Sequence, residues 1–314
     1  MMSDSTPIVE VVAAIVTRPD GSFLLTSRPE GKPYAGYWEF PGGKVEVYES
    51  FRHALDRELQ EELGLQIKHA DPWITRVFIY AHATVRLHFF RVTAWQGEPW
   101  GRENQRLSWQ FAHTVKVEPL LPANAPILRA LQLPPTYAIT HASEIGIDTS
   151  LLQIERAVQQ GLRLIQVREK TMSSDALRSF SSEVIKLART YDAKVLISGD
   201  LELVHEVGAN GVHVAASQLM ALSCRPEHSW CGASCHNAEE LFHAEQLGMD
   251  FVVLGPVLPT LSHPGATTLG WQKFAALVRN YSLPVYALGG LCQEDLVTAQ
   301  ELGGQGIAMM RGIT

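Results

Sequence analysis

Eight short apolar runs recur along the second half of the chain, each separated from the next by a stretch with helical character. They occupy residues 137–140, 163–167, 194–197, 211–214, 230–234, 251–254, 285–288 and 306–310. Continuous apolar runs of this length are typical of strands buried on both faces, as in a parallel sheet. The alternation therefore predicts an α/β (β/α)₈ TIM barrel. Because the sequence stops at Thr314, just after the eighth run, we expect this barrel to lack its last helix.

The first part of the chain has a different pattern, in which several strands accompany one strongly helical segment. Apolar runs at residues 11–16, 22–26, 75–81 and 84–94 indicate strands, whereas residues 51–63 and 125–131 indicate helices. This pattern predicts an α+β domain. Pro134 and Pro135 bar the second helix from continuing, since proline lacks the backbone donor. We therefore predict two domains, residues 1–133 and residues 136–314.

Composition narrows the classes of function that are compatible with the chain. A formal net charge of −7 without a basic cluster argues against binding to a nucleic-acid backbone. The longest apolar stretch near the start is too short for a membrane span or a secretory signal, which predicts a cytoplasmic protein without membrane contact. The four cysteines form no C-x-x-C pair, so we expect thiols. The sequence leaves open whether the chain forms a homo-oligomer.

A glutamate-rich motif lies on the strongly helical segment. Gly43 is followed after five residues by Glu49, and after seven more by the segment Arg57-Glu58-Leu59-Gln60-Glu61-Glu62-Leu63-Gly64-Leu65. On a helix, Glu58, Glu61 and Glu62 share one face, where their mutual repulsion favours a cation. Hard Mg²⁺, with Mn²⁺ as a substitute, binds through a few carboxylates and keeps other positions for water and phosphate oxygens.

The residues around the motif support the same prediction. Ser50 is placed to cap the helix and Gly64 to end it, while Arg57 lies one turn before Glu61 and can orient its carboxylate. In the preceding loop, glycines allow backbone amides and the carbonyl of Gly42 to approach a metal ion and phosphates.

The motif matches the Nudix signature, and further segments resemble the MutT-type 8-oxo-dGTP diphosphatases. These segments are Phe40-Pro41-Gly42-Gly43-Lys44, Trp95-Gln96-Gly97-Glu98-Pro99-Trp100-Gly101 and Pro122-Ala123-Asn124. The resemblance implies Mg²⁺-dependent hydrolysis of the small-molecule nucleotide 8-oxo-dGTP to 8-oxo-dGMP and pyrophosphate, by attack of water at the β-phosphorus. Such an activity belongs to nucleotide-pool sanitation, a form of DNA repair that protects DNA replication from oxidative DNA damage.

The resemblance also implies roles for individual residues of the first domain. Catalytic roles fall to Arg57, Glu58, Glu61, Glu62 and Glu103; metal ligation falls to Gly42, Glu58, Glu61, Glu62 and Glu103; nucleotide contacts fall to Arg28, Glu39, Phe40, Pro41, Gly42 and Asn124. The general base remains open among Glu58, Glu62 and Glu103, with Glu58 preferred.

Asn124 is the residue that the resemblance places at the purine edge. Oxidation at C8 turns N7 into an N–H donor, and an asparagine amide can accept from N7–H while it donates to O6. Unoxidised dGTP would instead set two acceptors face to face, which can cost up to ~10⁴-fold in selectivity. The segment Tyr80-Ala81-His82-Ala83 departs from the family because it lacks an arginine near the nucleotide. This departure predicts weaker selectivity for the oxidised base.

In the second domain, polar motifs follow the predicted strands at the carboxyl ends, where barrel enzymes place their sites. The motifs are Gln166-Val167-Arg168-Glu169-Lys170, Gly211-Val212-His213-Val214, Gly255-Pro256-Val257-Leu258-Pro259-Thr260 and Ala287-Leu288-Gly289-Gly290. In this order they resemble the thiamine-phosphate synthase/TenI family. The resemblance implies a ligand site for a thiamine or thiazole phosphate, formed by Gln166, Arg168, Lys170, His236, Thr260, Gly289, Gly290 and Arg311.

Several positions depart from an active synthase. Ser198-Gly199 stands where the family has Asn-Asp, and Gln218 stands where it has an acidic metal ligand. Ser262-His263 replaces the expected lysine, and Met310-Arg311-Gly312 replaces a small polar phosphate loop. Asp200 is one displaced carboxylate where the family has two. These losses predict a degenerate barrel that binds a phosphate ligand without synthase activity.

Three alternatives remain open at this point. The barrel can be an active thiamine-phosphate synthase, or a TenI-like thiazole tautomerase in which His236 transfers the proton without a metal ion. The first domain can instead hydrolyse thiamine-related diphosphates, as the fusion with the barrel suggests.

Overall fold

The structure is a computed structural model that describes residues 8–260, 265 and 267–311. The chain divides into two compact units. One contains the residues up to Gln132 together with Arg279–Ser282, and the other contains Leu133–Val278 and the residues from Leu283 onward.

The first unit is an α+β domain built on two sheets. Its strands are β1 (Val9–Val16), β2 (Phe23–Ser27), β3 (Trp38–Glu39), β4 (Gly42–Lys44), β5 (Gln66–Ile79), β6 (Thr84–Gln96) and β7 (Leu107–Gln110); its helices are α1 (Phe51–Leu63) and α2 (Ala125–Ala130), the latter preceded by a 3₁₀ turn at Pro122–Asn124. One sheet has the order β4-β1-β6-β5 and the other the order β3-β2-β7. β1 runs parallel to β6 and antiparallel to β4.

Strand β1 is buried on both faces because each face packs against a different helix. Val12, Ala14 and Val16 belong to a core that includes the apolar side of α1. Ala13 and Ile15 belong to a second core that includes residues of α2. This alternation follows from the two-residue period of a strand.

Helix α1 begins and ends where the sequence predicts. The Ser50 side chain accepts a hydrogen bond from the His53 N–H, and Gly64 ends the helix in the left-handed conformation. Leucine side chains and Ala54 bury one side of the helix against β1. The glutamates of the motif consequently lie outside the apolar side of α1, with Glu58 and Glu62 partly buried and Glu61 exposed.

The second unit is a closed barrel of eight parallel strands, as predicted. Its strands are β8 (Thr136–Ile139), β9 (Leu164–Val167), β10 (Lys194–Ser198), β11 (Gly211–Val214), β12 (Trp230–Cys235), β13 (Phe251–Leu254), β14 (Val285–Leu288) and β15 (Gly306–Met309). β15 pairs with β8 and closes the ring. Tyr137, Phe251 and Tyr286 are fully buried and pack together in the barrel core.

Helices follow the barrel strands on the way round the ring. They are α3 (Ala142–Ile145), α4 (Ile147–Gln159), α5 (Ser174–Thr190), α6 (Leu201–Val207), α7 (Ala216–Ala221), α8 (Ala238–Leu247), α9 (Gly270–Val278) and α10 (Asp295–Glu301). Among the residues described, which end at Arg311, β15 is the last element. Within the same part of the chain, no helix is long and apolar enough to cross a membrane.

Candidate functional site

The glycine loop before α1 lies directly against the carboxylate of Glu58. A Cβ atom added at Gly43 would lie 2.2 Å from the Glu58 carboxylate, and one at Gly42 would lie 2.1 Å from the Val12 carbonyl oxygen. The loop is held there by β4, which pairs Gly42 and Gly43 with Ala13 and Val12 of β1. Glycine is therefore required at both positions, because a side chain at position 43 would separate the loop from the helix and one at position 42 would collide with the backbone of β1.

Arg57 connects the loop to the helix through several hydrogen bonds. Its guanidinium donates to both Glu49 oxygens at 3.0 and 2.9 Å, to Glu58 Oε1 at 2.8 Å and to the Lys44 carbonyl at 3.0 Å. Glu61 Oε2 is 3.6 Å from the guanidinium, and the Glu61 side chain is 61% exposed. The hydrogen bonds that we expected to orient Glu61 are thus made to Glu49 and Glu58.

Glu62 lies beside the same loop in an unfavourable electrostatic environment. Its Oε2 accepts a hydrogen bond from the Gly42 N–H at 3.3 Å. Burial, and then the nearby carboxylates of Glu39 and Glu58, raise the pKa of Glu62 to about 8. Burial likewise raises the pKa of Glu58. Three carboxylates therefore share one region with too little positive charge to balance them.

The cations of this region are themselves paired with carboxylates. Arg28 Nη1 lies 2.6 Å from Glu39 Oε2, and Lys32 Nζ lies 2.9 Å from Glu103 Oε2. Glu103 is otherwise exposed. Among residues 8–260, 265 and 267–311, no three acidic, histidine or cysteine side chains are arranged to hold a metal ion. Glu58 and Glu103 are engaged by Arg57 and Lys32 in this arrangement.

Three of the expected nucleotide contacts are buried. Asn124 is 4% exposed, and its Nδ2 donates to the Trp38 carbonyl at 3.3 Å. The Phe40 ring belongs to the core, where it contacts the rings of Phe23 and Phe89. Pro41 is also buried, and its carbonyl accepts from the Ala14 N–H.

An aromatic cluster occupies the place where the sequence lacks the expected arginine. It consists of Tyr34, Tyr37, Phe78, Tyr80 and His82, whose ring centroids lie 4.6 to 6.1 Å from those of neighbouring members. Burial, and then the charge of Glu39, raise the pKa of the Tyr80 hydroxyl to about 12, so this hydroxyl is neutral at ordinary pH. From the sequence, the missing arginine was noted but this cluster was not; its signal was the closely spaced rings in two segments, Tyr34 and Tyr37 at i, i+3 and Phe78, Tyr80 and His82 at i, i+2.

In the barrel, the predicted ligand-site residues surround one cavity of about 780 Å³. The cavity lining includes Gln166, Arg168, Lys170, His236, Thr260, Gly289, Gly290 and Arg311. They lie together because the carboxyl ends of parallel strands meet at one end of a barrel.

A chain of hydrogen bonds leads from the barrel core to this cavity. Tyr137 Oη lies 3.2 Å from His213 Nδ1, and His213 Nε2 lies 2.9 Å from Ser234 Oγ. Burial lowers the pKa of His213 to about 3, so the imidazole is neutral. If the Tyr137 hydroxyl donates to Nδ1, the proton of His213 lies on Nε2 and is donated to Ser234. The Ser234 hydroxyl, which lines the cavity, can then donate to a ligand.

Comparison with known families assigns both domains. The NUDIX domain family matches residues 7–131, and the thiamine monophosphate synthase family matches residues 136–313. The chain belongs to both families. Its amino-terminal domain is a Nudix hydrolase domain, and its carboxyl-terminal domain is a thiamine monophosphate synthase-like TIM barrel.

Curated relatives agree with this assignment domain by domain. The Nudix domain is 38% identical over 124 residues to an 8-oxo-dGTP diphosphatase of Haemophilus influenzae, a match that covers 40% of this chain and 91% of that protein. It is also 41% identical over 123 residues to a CTP pyrophosphohydrolase of Escherichia coli, covering 39% and 90%. The barrel is 31% identical over 188 residues to a thiamine-phosphate synthase of Latilactobacillus sakei, covering 57% and 84%.

The thiamine monophosphate synthase-like barrel has neutral groups at the positions expected to carry acidic metal ligands. Gln218 Nε2 donates to the Gly199 carbonyl at 2.9 Å, and its Oε1 accepts from the Ala215 N–H at 3.2 Å. Asp200 caps helix α6 by accepting from the Leu203 N–H at 3.0 Å. Its carboxylate is therefore committed to the helix end. Ser262 and His263 lie outside the described residues.

Two further polar residues at the barrel cavity are held by carboxylates. His236 Nδ1 lies 2.9 Å from Glu240 Oε2, which also accepts from the His236 N–H. Arg311 forms an ion pair with Glu144 at 2.6 Å. A phosphate that reached Arg311 would compete with this carboxylate.

Proposed function

We propose that the Nudix domain hydrolyses 8-oxo-dGTP to 8-oxo-dGMP and pyrophosphate, with Mg²⁺ or Mn²⁺ as the cofactor. The observation that supports metal-dependent hydrolysis is the position of Glu62 against the glycine loop, where burial and the charges of Glu39 and Glu58 raise its pKa to about 8. The choice of 8-oxo-dGTP is supported by the 38% identity to an 8-oxo-dGTP diphosphatase. A bound divalent cation would remove this unfavourable electrostatic energy. Removal of the oxidised nucleotide would protect DNA replication from mutation.

The donor set fits a hard divalent cation. Glu58 and Glu62, with the Gly42 carbonyl, would hold it, and Glu61 and Glu103, whose side chains are exposed, would have to turn towards it to complete the set. When bound, the metal ion neutralises the negative charge that develops on the phosphates.

The residues of the chain supply the remaining steps. Arg57 donates to Glu58 Oε1 and so fixes the direction of this carboxylate, whose second oxygen can accept a proton from the attacking water. The Lys32 ammonium group, beside Glu103, can exchange that carboxylate for a substrate phosphate. Glu58 is therefore our choice of general base, and Arg57 is its positioning residue.

Asn124 and the Arg28–Glu39 pair are our choice for contacts with the nucleoside. The Asn124 amide already donates to the Trp38 carbonyl through Nδ2, which leaves Oδ1 as the atom to accept N7–H of the oxidised base. Asn124→Ala should erode the preference for 8-oxo-dGTP over dGTP more than it lowers turnover of dGTP. Equal loss with both substrates would contradict this role.

CTP is a second candidate substrate, because the Nudix domain is 41% identical to a CTP pyrophosphohydrolase. The domain fusion also keeps thiamine-related diphosphates as a candidate. One preparation of the full chain should be assayed with 8-oxo-dGTP, dGTP, CTP and hydroxymethylpyrimidine diphosphate at fixed Mg²⁺. We expect the largest kcat/KM for 8-oxo-dGTP. A larger value for CTP or for the pyrimidine diphosphate would overturn our choice of substrate but not the Nudix chemistry.

Substitution of the carboxylates tests the metal site itself. Glu62→Gln and Glu61→Gln should each lower nucleotide hydrolysis by at least ~10²-fold, because the lost charge serves the metal ion rather than packing. Asp56→Asn is the matched control, since Asp56 lies on the same helix but pairs with Arg52. Near-normal turnover in both glutamate variants at low Mg²⁺ would disprove the assignment.

For the barrel, we propose binding of a thiazole or thiamine phosphate without synthesis of thiamine phosphate. Departure of pyrophosphate needs charge compensation by a metal ion, and Gly199 and Gln218 offer no carboxylate to hold one. The full chain supplied with both thiamine precursors and Mg²⁺ should form no thiamine phosphate. Catalytic formation of that product would show that the site is active.

A thiazole tautomerase activity is the second candidate for the barrel, favoured by the His236–Glu240 pair. Because Glu240 accepts from Nδ1, the Nε2 atom of His236 is available for proton transfer in the cavity. Tautomerisation of a thiazole phosphate by the wild type and its loss in His236→Gln would establish this activity.

A further inference from the structure

The loop between β6 and β7 carries Glu103 and is attached to helix α1. The Arg102 N–H donates to the Glu62 carbonyl at 3.0 Å, and the Trp100 N–H donates to the Leu63 carbonyl at 3.3 Å. These carbonyls belong to the last turn of α1, whose acceptors have no partner within the helix. The residue that precedes Glu103 is therefore bonded directly to the residue whose carboxylate lies at the glycine loop.

At its other end, the same loop is attached to strand β2. The Arg106 N–H donates to Ser27 Oγ at 2.9 Å, and the Ser27 N–H donates to the Arg106 carbonyl at 2.9 Å. Between the two attachments the chain turns back on itself, since a Cβ atom added at Gly101 would lie 2.1 Å from the Gln105 carbonyl oxygen. Glu103 therefore lies in a tight turn between two fixed points.

Within this turn, the side chain of Gln105 holds the backbone of Glu103. Gln105 Oε1 accepts a hydrogen bond from the Glu103 N–H at 2.9 Å. The Glu103 side chain, in contrast, is 45% exposed and reaches Lys32 Nζ at 2.9 Å. Because its backbone is already fixed, Glu103 can exchange Lys32 for a metal ion by rotation of its side chain, without the entropic cost of ordering the loop.

Gln105 itself is poorly placed to stabilise the fold. It is 8% exposed, and among residues 8–260, 265 and 267–311 its Nε2 is one of two buried side-chain atoms without a hydrogen-bond partner. A buried donor without an acceptor is unfavourable and can offset the hydrogen bond that Oε1 makes. The contact with Glu103 therefore explains this glutamine better than the stability of the fold does.

We propose that Gln105 is a positioning residue of the candidate metal site: by holding the Glu103 N–H, it keeps the Glu103 carboxylate within reach of a divalent cation bound at helix α1. This inference rests on the proposed metal site of the Nudix domain and adds to it a residue that does not touch the ion. Hydrogen bonds that orient metal ligands typically account for roughly 10- to 100-fold in metal affinity. Gln105 consequently strengthens binding of Mg²⁺ or Mn²⁺ through Glu103.

The test is binding of Mn²⁺ to the full chain, measured by electron paramagnetic resonance without nucleotide. Gln105→Met removes the acceptor at nearly unchanged volume and should raise Kd for Mn²⁺ by about 10-fold. Glu103→Gln should raise Kd by at least about the same factor. In the double variant, Gln105→Met should have no further effect, because the residue that it positions no longer binds the ion.

Gln110→Met is the matched control. Gln110 is also buried and its Oε1 accepts from the Lys116 N–H at 2.6 Å, but its Nε2 is paired with Ser108 Oγ and the Trp109 carbonyl. We expect Gln110→Met to lower Tm by about 3 °C and to leave Kd for Mn²⁺ unchanged. Gln105→Met should lower Tm less, since it also removes an unpaired donor, and yet raise Kd.

Two results would overturn the positioning role and leave the metal site standing. One is an unchanged Kd in Gln105→Met, and the other is a further 10-fold loss, or about that, when this substitution is added to Glu103→Gln. Mn²⁺ binding by the wild type that is no tighter than binding by Glu62→Gln would instead reject the metal site and this inference with it. If the wild type binds Mn²⁺ but hydrolyses no nucleotide, the proposed hydrolysis fails while the titrations still decide the role of Gln105.

Discussion

At the scale of single residues, the charged groups of both domains are distinguished by how they are paired. The charged form of Glu62 is negative and that of His213 is positive, yet burial favours the neutral form of both side chains. Arg311 and Lys32 are cations at ligand-site positions that already have carboxylate partners. Substrate binding at these residues is therefore an exchange of partners, and its free energy depends on the partner that is displaced.

The Arg311–Glu144 pair allows this exchange to be measured. Arg311→Ala should weaken binding of a thiazole or thiamine phosphate to the full chain, because a charge-assisted donor is lost. Glu144→Gln should have the opposite effect, since the guanidinium no longer has to leave a carboxylate. We expect about a 5-fold change in Kd in each direction, measured by calorimetry. Changes of the same sign in both variants would show that the pair acts only as a structural ion pair.

His213 predicts a pH dependence of stability. Its pKa is lowered to about 3 in the folded protein, whereas an unfolded histidine titrates near its ordinary value. The unfolded state therefore binds more protons between these pH values, and the contribution of His213 to stability is lost as pH falls through this window. His213→Gln, which also loses the contacts with Tyr137 and Ser234, should be less stable than wild type at pH 8.

The difference in stability between wild type and His213→Gln should become smaller at acidic pH. Between pH 8 and pH 4.5 we expect the free-energy gap between wild type and His213→Gln to narrow by about 2 kcal/mol in denaturant titrations. His228 and His88 also have lowered pKa values, but both remain in the variant and cancel in the comparison. Parallel stability curves for the two proteins would contradict a neutral, buried His213.

At the scale of elements, helix α1 is defined mainly by local signals at its ends. Besides the left-handed Gly64, whose N–H donates to the Gln60 carbonyl, Arg102 donates from Nη1 to the same carbonyl at 2.8 Å and so adds a second hydrogen bond to the last turn. The orientation of Glu58 and Glu62 relative to the glycine loop depends on this helix. Its ends are thus part of the support of the candidate metal site.

Substitution at the end of α1 should show this dependence. Gly64→Ala forces a side chain into the left-handed conformation and brings its Cβ to 2.8 Å from Arg102 Nη2. Gly21→Ala is the matched control, because Gly21 also has positive φ but has no atom within 4 Å of the added Cβ. We expect Gly21→Ala to lower the free energy of unfolding by about 1 kcal/mol and Gly64→Ala by more. Equal losses would mean that Arg102 does not support the helix end.

Features that depend on local sequence signals could be predicted, whereas features that depend on tertiary contacts could not. The bounds of α1 and the positions of the barrel strands were confirmed, because capping residues and apolar runs are local. Strands β3, β4 and β7 were missed, since each is short and none is a continuous apolar run like the barrel strands. β5 begins at Gln66, well before the predicted start at residue 75, and register shifts interrupt its pairing with β6.

The site residues could likewise be predicted where the fold itself gathers them, but not where loops bring them together. The ligand residues predicted in the barrel lie around one cavity, because the fold itself brings strand ends together. In the Nudix domain, the Lys32–Glu103 pair and the Tyr34–Tyr80 contact were not anticipated. Both depend on loops that approach each other only in the folded protein. Which atoms receive the hydrogen bonds of Arg57 likewise depends on tertiary geometry.

At the scale of the whole molecule, the chain combines two sites that both suit phosphate-bearing small molecules. The candidate Nudix site is formed only by residues of the first unit, and the barrel cavity only by residues of the second. We propose residues 1–133 and 136–314 as the functional domains. Neither site then requires a residue from the other domain for its chemistry.

Variants of the full chain can test this independence. Glu62→Gln should abolish most nucleotide hydrolysis while Kd of the barrel for a thiamine phosphate stays within about 2-fold of wild type. Arg311→Ala should leave kcat/KM for 8-oxo-dGTP unchanged. Addition of thiamine phosphate to the wild type should also leave hydrolysis unchanged. A reproducible effect of either site on the other would reveal thermodynamic coupling between the domains.

The bond between Gln218 and Gly199 couples two positions of the barrel. Gly199 has a φ of 71°, and a Cβ atom there would lie 2.8 Å from Gln218 Oε1. An aspartate introduced at position 199 alone would therefore require the Gln218 side chain to move, while a glutamate at position 218 alone would face the Gly199 carbonyl with a repelling oxygen. We therefore expect the effects of acidic substitutions at these two positions to be non-additive, so that a pair of carboxylates is accommodated only when both residues change together.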